Sequence, residues 1–423
     1  MRKIFLPLLL AAIFLVAGVL PAVSADTGQR ILSPRFRTLK VMKEGDFMAP
    51  PVINPSEGER LIVSFDEIAD DRSFLMARLV HCNADWQPSQ LLDSEYADGF
   101  NEARIDDYAF SQNTFIHYVN YRVVVPSENL SPLKSGYYLL EIYPEDDPDE
   151  VLLQVRFAVS ERRVAISGYA DGRTDRGFND SLQQLSMNVA TGDYRIGDPF
   201  SELVIAVEQN GSPASAVQAD HPLRISSEGL IYEHLPELIF KAGNEYRRFE
   251  TVRADYPGMG VDSVRFENGI YHAYLAPGSK RVASNYEYDR TQHGRYLIRE
   301  YNATDADVGA DYVIVHFTLL ADEFSGADVY VDGEFTSRTF SDANKMTFDP
   351  QLKAYTLAMP LKQGSYNYRF VALPKGVEDP RPDASPIEGD FHETRNEYNV
   401  KLFHRAPGSR ADRLVGDAVI YSY

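Results

Sequence analysis

The sequence is short of cysteine and of positive charge. Cys82 is the only cysteine in 423 residues, so no disulfide can form within the chain. Exported eukaryotic domains usually contain several cysteines, and their lack here favours a bacterial periplasmic protein. Lysine and arginine number 42 against 62 aspartates and glutamates, which leaves a formal net charge of −20. Because nucleic acids bind basic surfaces, this balance argues against a nucleic-acid partner and suits a basic protein partner.

Long hydrophobic segments are also missing beyond the N-terminus. The best later apolar run, from Tyr312 to Leu320, has only the length of a strand, so we expect no insertion into a membrane. Residues 1–25 combine a basic start, an apolar centre and small residues at Val23 and Ala25. This layout predicts a secretory signal peptide that is cleaved after Ala25. No cysteine near that site could receive a lipid, so we expect an exported protein that is soluble after processing.

The common catalytic and ligand-binding motifs are absent as well. The sequence contains no G-x-S-x-G, phosphate-loop, dinucleotide, HExxH or calcium-loop pattern. His81, Cys82 and Asp85 lie close together, but His81 and Cys82 would face opposite sides of a strand. No CxxC or HxxxH partner supplies the further ligands that zinc needs. The pattern therefore favours a buried cysteine at the end of a strand, with Trp86 at the edge of a core.

The loop from Ala170 to Ser181 is the nearest match to a metal-binding loop. Its Asp171, Asp175 and Asp180 lack the regular spacing and the final glutamate of an EF-hand, which favours an exposed turn. We therefore predict no catalytic, cofactor-binding or metal-binding residues, no cofactor and no enzyme activity. A hydrolase that uses carboxylates distant in the sequence remains a further alternative, because such acids can converge in a fold.

Short strand-like runs fill the rest of the sequence. Segments such as "RLIVSFDEI", "GYYLLEIYP" and "YVIVHFTLL" are β-branched and aromatic, and Pro, Gly, Asn and Asp separate them. Strands at this spacing are typical of β-sandwiches. We predict an all-β protein of about three tandem, immunoglobulin-like sandwiches that cover residues 26–160, 161–307 and 308–423.

The segment "LIFKAGNEYRRFE", Leu238 to Glu250, concentrates charges of both signs. The Ala-Gly-Asn triplet predicts a tight turn, and the residues after it predict a strand. Charges would then lie on both faces of that strand, so we expect that it is not buried on both sides. Its polar and aromatic residues are our candidates for contact with a protein partner: Asn244, Glu245, Tyr246, Arg247 and Arg248.

Five blocks of the sequence together resemble a known family. They are "LVHCNADWQPS", "GFNEARIDDYAFSQNT", "SGYYLLEIYPEDD", "HLPELIFKAGNEYRRFE" and "EGDFHETRNEYNVKLFHRAPGSRADRLVG". In this order they are similar to the plug proteins of the Bacteroidetes type IX secretion system, over nearly the whole mature chain. The resemblance implies a periplasmic protein, monomeric when free, that binds the outer-membrane translocon barrel. It would occlude the periplasmic opening of that barrel when neither cargo nor carrier occupies it.

The C-terminal part has a second resemblance. "VYVDGEF" and "KAYTLAMPLKQGSYNYRFV" resemble an early-set immunoglobulin-like domain of the kind that binds α-glucans. The glucan-binding versions carry tryptophans in their platform, and this segment has none. The resemblance therefore favours a domain with an architectural role. The alternative function is that of an exported glucan-binding β-sandwich protein.

Overall fold

The computed structural model describes residues 28–227 and 229–422, and the expected signal peptide at 1–25 lies outside them. Strands make up 46% of the structure and helices 6%, which confirms the predicted all-β class. The described residues form three α-helices of one turn each: α1 Asp93–Tyr96, α2 Ala306–Gly309 and α3 Ser385–Glu388. Four short 3₁₀ helices occur at Pro55–Glu57, Pro213–Ser215, Pro236–Leu238 and Glu334–Thr336.

The first sandwich is built from the N-terminal part of the chain. Its strands are β1 Arg30–Ile31, β2 Phe36–Lys43, β3 Val52–Ile53, β4 Leu61–Glu67, β5 Leu75–Cys82, β6 Ala97–Asp98, β7 Ala103–Arg104, β8 Tyr108–Phe110, β9 Val119–Val125, β10 Ser131–Pro132, β11 Gly136–Pro144 and β12 Leu153–Val159. One sheet has the order β1-β12-β11-β5-β7, and the other has the order β2-β4-β9-β8. On β5, buried Leu75, Ala77 and Leu79 alternate with half-buried residues, as a strand with one face in the core requires.

The second sandwich begins with nine strands that follow the first core. They are β13 Ala165–Asp171, β14 Arg173–Thr174, β15 Gly177–Phe178, β16 Leu182–Ala190, β17 Leu203–Gln209, β18 Val217–Ala219, β19 Arg224–Ser226, β20 Gly229–Tyr232 and β21 Ile239–Lys241. One sheet has the order β13-β16-β20-β19, and β21 also pairs with β16. The facing sheet contains β18 and β17 and is completed by strands from the C-terminus of the chain.

The third sandwich occupies the next part of the chain. Its strands are β22 Arg247–Glu250, β23 Val261–Glu267, β24 Ile270–Leu275, β25 Gly278–Ser279, β26 Tyr296–Ile298, β27 Tyr312–Leu320, β28 Ala327–Asp332, β29 Thr347–Asp349, β30 Ala354–Lys362 and β31 Gly364–Pro374. One sheet has the order β22-β31-β26, with β28 also paired to β31. The other has the order β23-β24-β27-β30-β29, with β25 also paired to β27.

The last two strands return to the second sandwich. They are β32 Glu397–His404 and β33 Arg413–Tyr421, and they extend the sheet of β17 in the order β18-β17-β32-β33. Leu203 pairs with His404 and Gln209 with Tyr398, so β32 is a central strand of that sheet. The third sandwich is therefore inserted between β21 and β32.

This pairing corrects the predicted boundaries after residue 160. The division at 307/308 would separate β17 from β32 and would cut the third sandwich between β26 and β27. The buried cores follow the sheets instead: Ile205 and Val207 share a core with Val400 and Leu402. The core of the third sandwich runs from Phe249 to Ile387. Sequence periodicity shows which residues of a strand are buried, but it does not show which strand lies beside it.

The insertion predicts the behaviour of a truncated chain that ends at residue 395. Removal of β32 and β33 takes Tyr398, Val400, Leu402 and Val415 out of the core of the second sandwich and leaves an edge of β17 unpaired. We expect this chain to aggregate, or to lose cooperative unfolding of the second sandwich in circular dichroism, with the chain to residue 423 as reference. A soluble truncated chain with the native melting curve would contradict the insertion.

Candidate functional site

The predicted contact segment lies where the chain crosses from the second sandwich to the third. Gly243 has φ +64°, the left-handed conformation that glycine adopts readily, so a turn does occur at this point. The backbone N–H of Gly243 donates to the carboxylate of Asp390 at 2.9 Å, and its carbonyl accepts from the N–H of Phe391 at 2.9 Å. Asn244 Nδ2 donates to the carbonyl of Glu388 at 2.7 Å. The segment that leaves the second sandwich is thus hydrogen-bonded to the segment that returns to it.

Arg247 makes a buried ion pair rather than an exposed contact. Its Nε and Nη2 donate to the two carboxylate oxygens of Glu388 at 3.0 and 2.9 Å, and Arg281 Nε donates to the same group at 2.7 Å. Glu388 is 1% exposed, and the Arg247 guanidinium also lies 5.0 Å from the ring of Phe370. Burial alone would raise the pKa of Glu388, but the two guanidinium groups outweigh it and lower that pKa.

Glu245 is a buried acceptor at the same crossing. Its carboxylate accepts hydrogen bonds from the Tyr286 hydroxyl at 2.8 Å, the Arg395 N–H at 3.1 Å and the Thr291 hydroxyl at 3.4 Å. Burial raises the pKa of Glu245. A raised carboxyl pKa is common in catalytic sites, but only 3% of Glu245 is exposed and its oxygens are bound by the protein itself. The group therefore holds Arg395 of the returning chain in place.

Tyr246 and Arg248 complete the segment. The buried Tyr246 ring lies 5.8 Å from the guanidinium of Arg338 and 5.3 Å from that of Arg369. Arg248 pairs with both oxygens of Asp289 at 2.9 and 2.7 Å, and its side chain is 32% exposed.

The expectation that this strand is not buried on both sides holds for β22, where Arg248 and Glu250 on one face are half-buried. Glu245 and Tyr246 are buried, and Arg247 is nearly so. The segment can carry this charge inside because its partners, such as Glu388 and Asp289, come from distant parts of the chain. In this structure the predicted candidates form a joint, by which we mean a set of contacts between parts of the chain that are distant in sequence. Arg248 is the most accessible of its charged candidates.

A second joint connects the first and third sandwiches. Lys362 Nζ donates to Asp66 Oδ2 at 2.7 Å, and the two side chains are 1% and 0% exposed. The Tyr312 hydroxyl donates to the same Asp66 oxygen at 2.7 Å, and Asn120 Nδ2 donates to the other at 2.8 Å. Tyr296 adds a hydrogen bond from its hydroxyl to the carbonyl of Leu39 in the first sandwich.

A third joint connects the second and third sandwiches. Arg295 Nη2 and Nη1 donate to the two oxygens of Glu397 at 2.5 and 3.1 Å, with 8% and 0% of the side chains exposed. Sequence reasoning missed the charged residues of these two joints and the partner of Arg247: Asp66, Lys362, Arg295, Glu397 and Glu388. The signal for three of them was a charged residue within a strand-like run: Asp66 in "IVSFDEI", Lys362 in "AMPLKQG" and Glu397 in "NEYNVKL".

A fourth joint contains residues of the block "HCNADWQPS" and connects the first sandwich to the second. The Asp412 N–H donates to Asn83 Oδ1 at 3.1 Å, and the Ala84 N–H donates to Asp412 Oδ2 at 2.9 Å. These bonds tie the first sandwich to the connection between β32 and β33. Cys82 lies in an apolar cluster shared by both sandwiches, and burial raises the pKa of its thiol to about 12. A thiol with this pKa is not a nucleophile at neutral pH.

Trp86 belongs to the same joint and offers no sugar platform. Its ring stacks on Tyr137 at 3.8 Å and 7°, and the guanidinium of Arg156 lies 4.3 Å over it. Tyr366 and Tyr368 of the predicted glucan-domain hairpin are buried in the third core. The aromatic groups on which the carbohydrate alternative depends are therefore used for packing.

Among residues 28–227 and 229–422, no three His, Cys, Asp or Glu side chains are grouped so that they could hold a metal ion. Within the same described part of the chain, no helix is long and apolar enough to cross a membrane.

Comparisons with known proteins identify a family match to part of the chain and a solved structure similar to most of it. The family described as "Type 9 secretion system plug protein 1st domain" matches residues 36–161, which is the first sandwich. The crystal structure of a hypothetical protein from Parabacteroides merdae ATCC 43184 is 36% identical, has a TM-score of 0.90, and is matched over 93% of this chain and 99% of its own. No curated protein matches the sequence.

Two other solved structures match with low identity and low TM-score. A putative membrane anchored protein from Corynebacterium diphtheriae is 7% identical with a TM-score of 0.13, and the match covers 91% of each chain. Dimeric latent PorU from Porphyromonas gingivalis is 8% identical with a TM-score of 0.15, and the match covers 93% of this chain and 34% of that one.

The neighbouring arginines of the crossing give a matched pair of substitutions. Arg247→Ala should lower the free energy of unfolding by about 3–5 kcal/mol, because it leaves the buried carboxylate of Glu388 with one partner fewer. Arg248→Ala should cost about 1 kcal/mol or less, because its pair with Asp289 is partly exposed to water. Urea unfolding followed by circular dichroism measures both. Equal effects would contradict the assignment of Arg247 to a buried joint.

The Glu388 carboxylate also predicts a dependence on pH. Its pKa in the folded protein is lower than the ordinary value of 4.5, so the unfolded chain binds the proton more tightly. The stabilisation is therefore complete above about pH 4.5 and is lost as the pH falls toward the lowered pKa. Between pH 7 and pH 4, Glu388→Gln should lose less unfolding free energy than the natural chain. Parallel pH profiles for the two chains would show that Glu388 does not contribute in this way.

Proposed function

Since the chain belongs to the type 9 secretion system plug protein family, we propose that it docks on the periplasmic opening of the outer-membrane translocon of that system and occludes it. The observation that carries the proposal is the family match to the first sandwich, together with 36% identity to a relative over 93% of the chain. Occlusion would last while neither cargo nor carrier occupies the pore. Binding and blocking need no turnover, so the proposal includes a non-enzymatic role.

The joints between the sandwiches support such a role. A protein that closes a wide pore has to resist deformation when it is in place. Ion pairs with almost no exposure, Asp66 with Lys362 and Arg295 with Glu397, connect the third sandwich to both others. Because separation of such a pair leaves uncompensated charge, the three sandwiches should move as one body.

The charge of the chain supports a reversible contact. A net charge of −20 steers the chain toward a basic partner and speeds association. A surface contact of moderate affinity can also be released, which occlusion of a working pore requires. The proposal places the protein in the periplasm, monomeric when free, and attached to the outer membrane through the translocon alone.

Co-purification tests this function. A tagged chain, expressed in the source bacterium and extracted with mild detergent, should retain the translocon barrel in near-stoichiometric amount. A strain that lacks the protein should become permeable to a bulky antibiotic that the outer membrane normally excludes, and the intact chain should restore the barrier. A chain that purifies alone and leaves permeability unchanged would refute occlusion. Retention on a glucan affinity gel would favour the carbohydrate alternative.

A further inference from the structure

An open cleft lies between the first and third sandwiches. It has a volume of about 720 Å³, and it is lined by residues 109–115 of the first sandwich and by Arg253, Tyr271 and residues 300–311 of the third. Binding clefts in proteins commonly measure ~300–1,000 Å³. The joint of Asp66 and Lys362 holds together the two sandwiches that form its walls.

Three aromatic rings cluster here: Phe115 and Tyr271 line the cleft, and Phe266 lies against both of them. Phe115, Phe266 and Tyr271 have ring centroids 5.1, 5.8 and 4.8 Å apart, so the first and third sandwiches both contribute. Phe115 is 57% exposed and Phe266 is 50% exposed, although both rings are large and apolar. Clustered exposure of this kind is typical of interaction surfaces, whereas a single exposed ring needs no explanation.

A second group of rings lies beside the same cleft. The guanidinium of Arg253 is 5.9 Å from the ring of Tyr256 and 5.9 Å from that of Tyr301. These tyrosines are 65% and 68% exposed. Tyrosine and arginine are the residues that most often supply binding energy in protein interfaces.

The loop that carries Phe115 is held firmly. The N–H groups of Phe115 and Ile116 donate to the carboxylate of Asp311 at 2.6 and 3.1 Å, and Asp311 is 7% exposed. The Gln112 N–H donates to the carbonyl of Val308 at 2.9 Å, and the Tyr118 hydroxyl donates to the carbonyl of Ala310 at 2.7 Å. The exposed ring is therefore presented on a fixed backbone, which reduces the entropy lost on binding.

The charge of the cleft indicates the chemistry of its partner. Its acidic lining residues are Asp255, Glu300, Asp305 and Asp311, and its basic lining residue is Arg253. Arg253 is paired with Asp255 at 2.9 Å, and Asp311 is occupied by backbone N–H groups. Glu300 and Asp305 also line the cleft, and their carboxylates accept from the backbone N–H groups of Asn302 and Asp307. A complementary partner carries lysine or arginine next to apolar side chains.

We propose that this cleft is the docking surface for the translocon, and that the translocon contributes a basic protein segment with apolar side chains that pack on Phe115 and Phe266. The inference rests on the proposed function, because that function supplies the partner. Phe and Tyr rings in edge-on and tilted contacts suit a protein segment better than a sugar, which needs a flat open ring face.

The single cysteine makes a direct test possible. Cys82 is buried with a raised thiol pKa, so Phe115→Cys introduces the one readily labelled thiol of the chain. The backbone bond from residue 115 to Asp311 is retained in this variant. Phe178→Cys, at a ring that is 72% exposed in the second sandwich, is the matched control. Each variant is labelled with a benzophenone maleimide, mixed with detergent-solubilised outer membranes, illuminated and analysed by mass spectrometry.

The outcomes separate this inference from the proposed function. We expect an adduct between position 115 and a basic segment of the translocon barrel, and none from position 178. If the barrel co-purifies with the intact chain but does not cross-link to position 115, the docking surface is elsewhere and the proposed function stands. An adduct with a second copy of this chain, with lipid or with another protein overturns the inference. If the barrel does not co-purify at all, the proposed function fails and the inference fails with it.

Substitutions at the cleft measure its contribution to binding. Phe115→Ala with Phe266→Ala should reduce affinity for the barrel by roughly ten-fold or more, and Phe100→Ala with Phe178→Ala should change it by less than about two-fold. Glu300→Gln with Asp305→Asn keeps the acceptor oxygens and removes two charges, so it should weaken binding and reduce its salt dependence. Unchanged melting curves confirm that each variant is folded. Equal affinities for the two aromatic pairs would overturn the inference.

Discussion

The arrangement of the three sandwiches depends on buried ion pairs at the places where they meet. Asp66 with Lys362 and Arg295 with Glu397 join the third sandwich to the other two, and both pairs have almost no contact with water. A buried charge without its partner costs several kcal/mol, whereas a correctly placed pair contributes little net stability. Such pairs therefore select one arrangement of the sandwiches from many that would bury similar apolar area. The hydrophobic cores hold each sandwich together, and the ion pairs set how the sandwiches are placed.

Because the third sandwich is inserted into the second, the chain passes between the two sandwiches twice, and Gly243 lies in the first of these passages. The chain leaves the second sandwich after β21 and returns before β32, and the two passages lie side by side. Hydrogen bonds from Gly243 to Asp390, from Arg395 to Glu245 and from Asn396 to Ala242 join them. The second sandwich therefore takes its central strand β32 from a part of the chain that follows the third sandwich.

The proposed occlusion would use three joined sandwiches with an exposed aromatic cleft between the first and the third. The conspicuous groups of the sequence, His81, Cys82, Trp86 and Arg247, all make contacts within the molecule. The rings at the cleft, by contrast, stay open to solvent although two sandwiches join beneath them. The residues that resemble catalytic groups in the sequence contribute to the stability of the fold. The exposed groups at the cleft are aromatic rings close to acidic residues.

Local sequence patterns were enough to predict the all-β class and the positions of many strands, and the resemblance of five sequence blocks indicated the family. Strand periodicity and turn residues are local properties of the sequence. A strand with one buried face needs apolar residues at alternate positions, so its pattern can be recognised in a single sequence. The sequence also indicated the turn at Gly243. The tertiary structure alone decided the strand partners, the insertion of the third sandwich and the burial of Glu245 and Arg247. The reason is distance along the chain: Arg247 is 141 residues from Glu388, and Asp66 is 296 residues from Lys362. The sequence alone does not show whether a charged side chain is solvated or is paired with a residue that is distant in the chain.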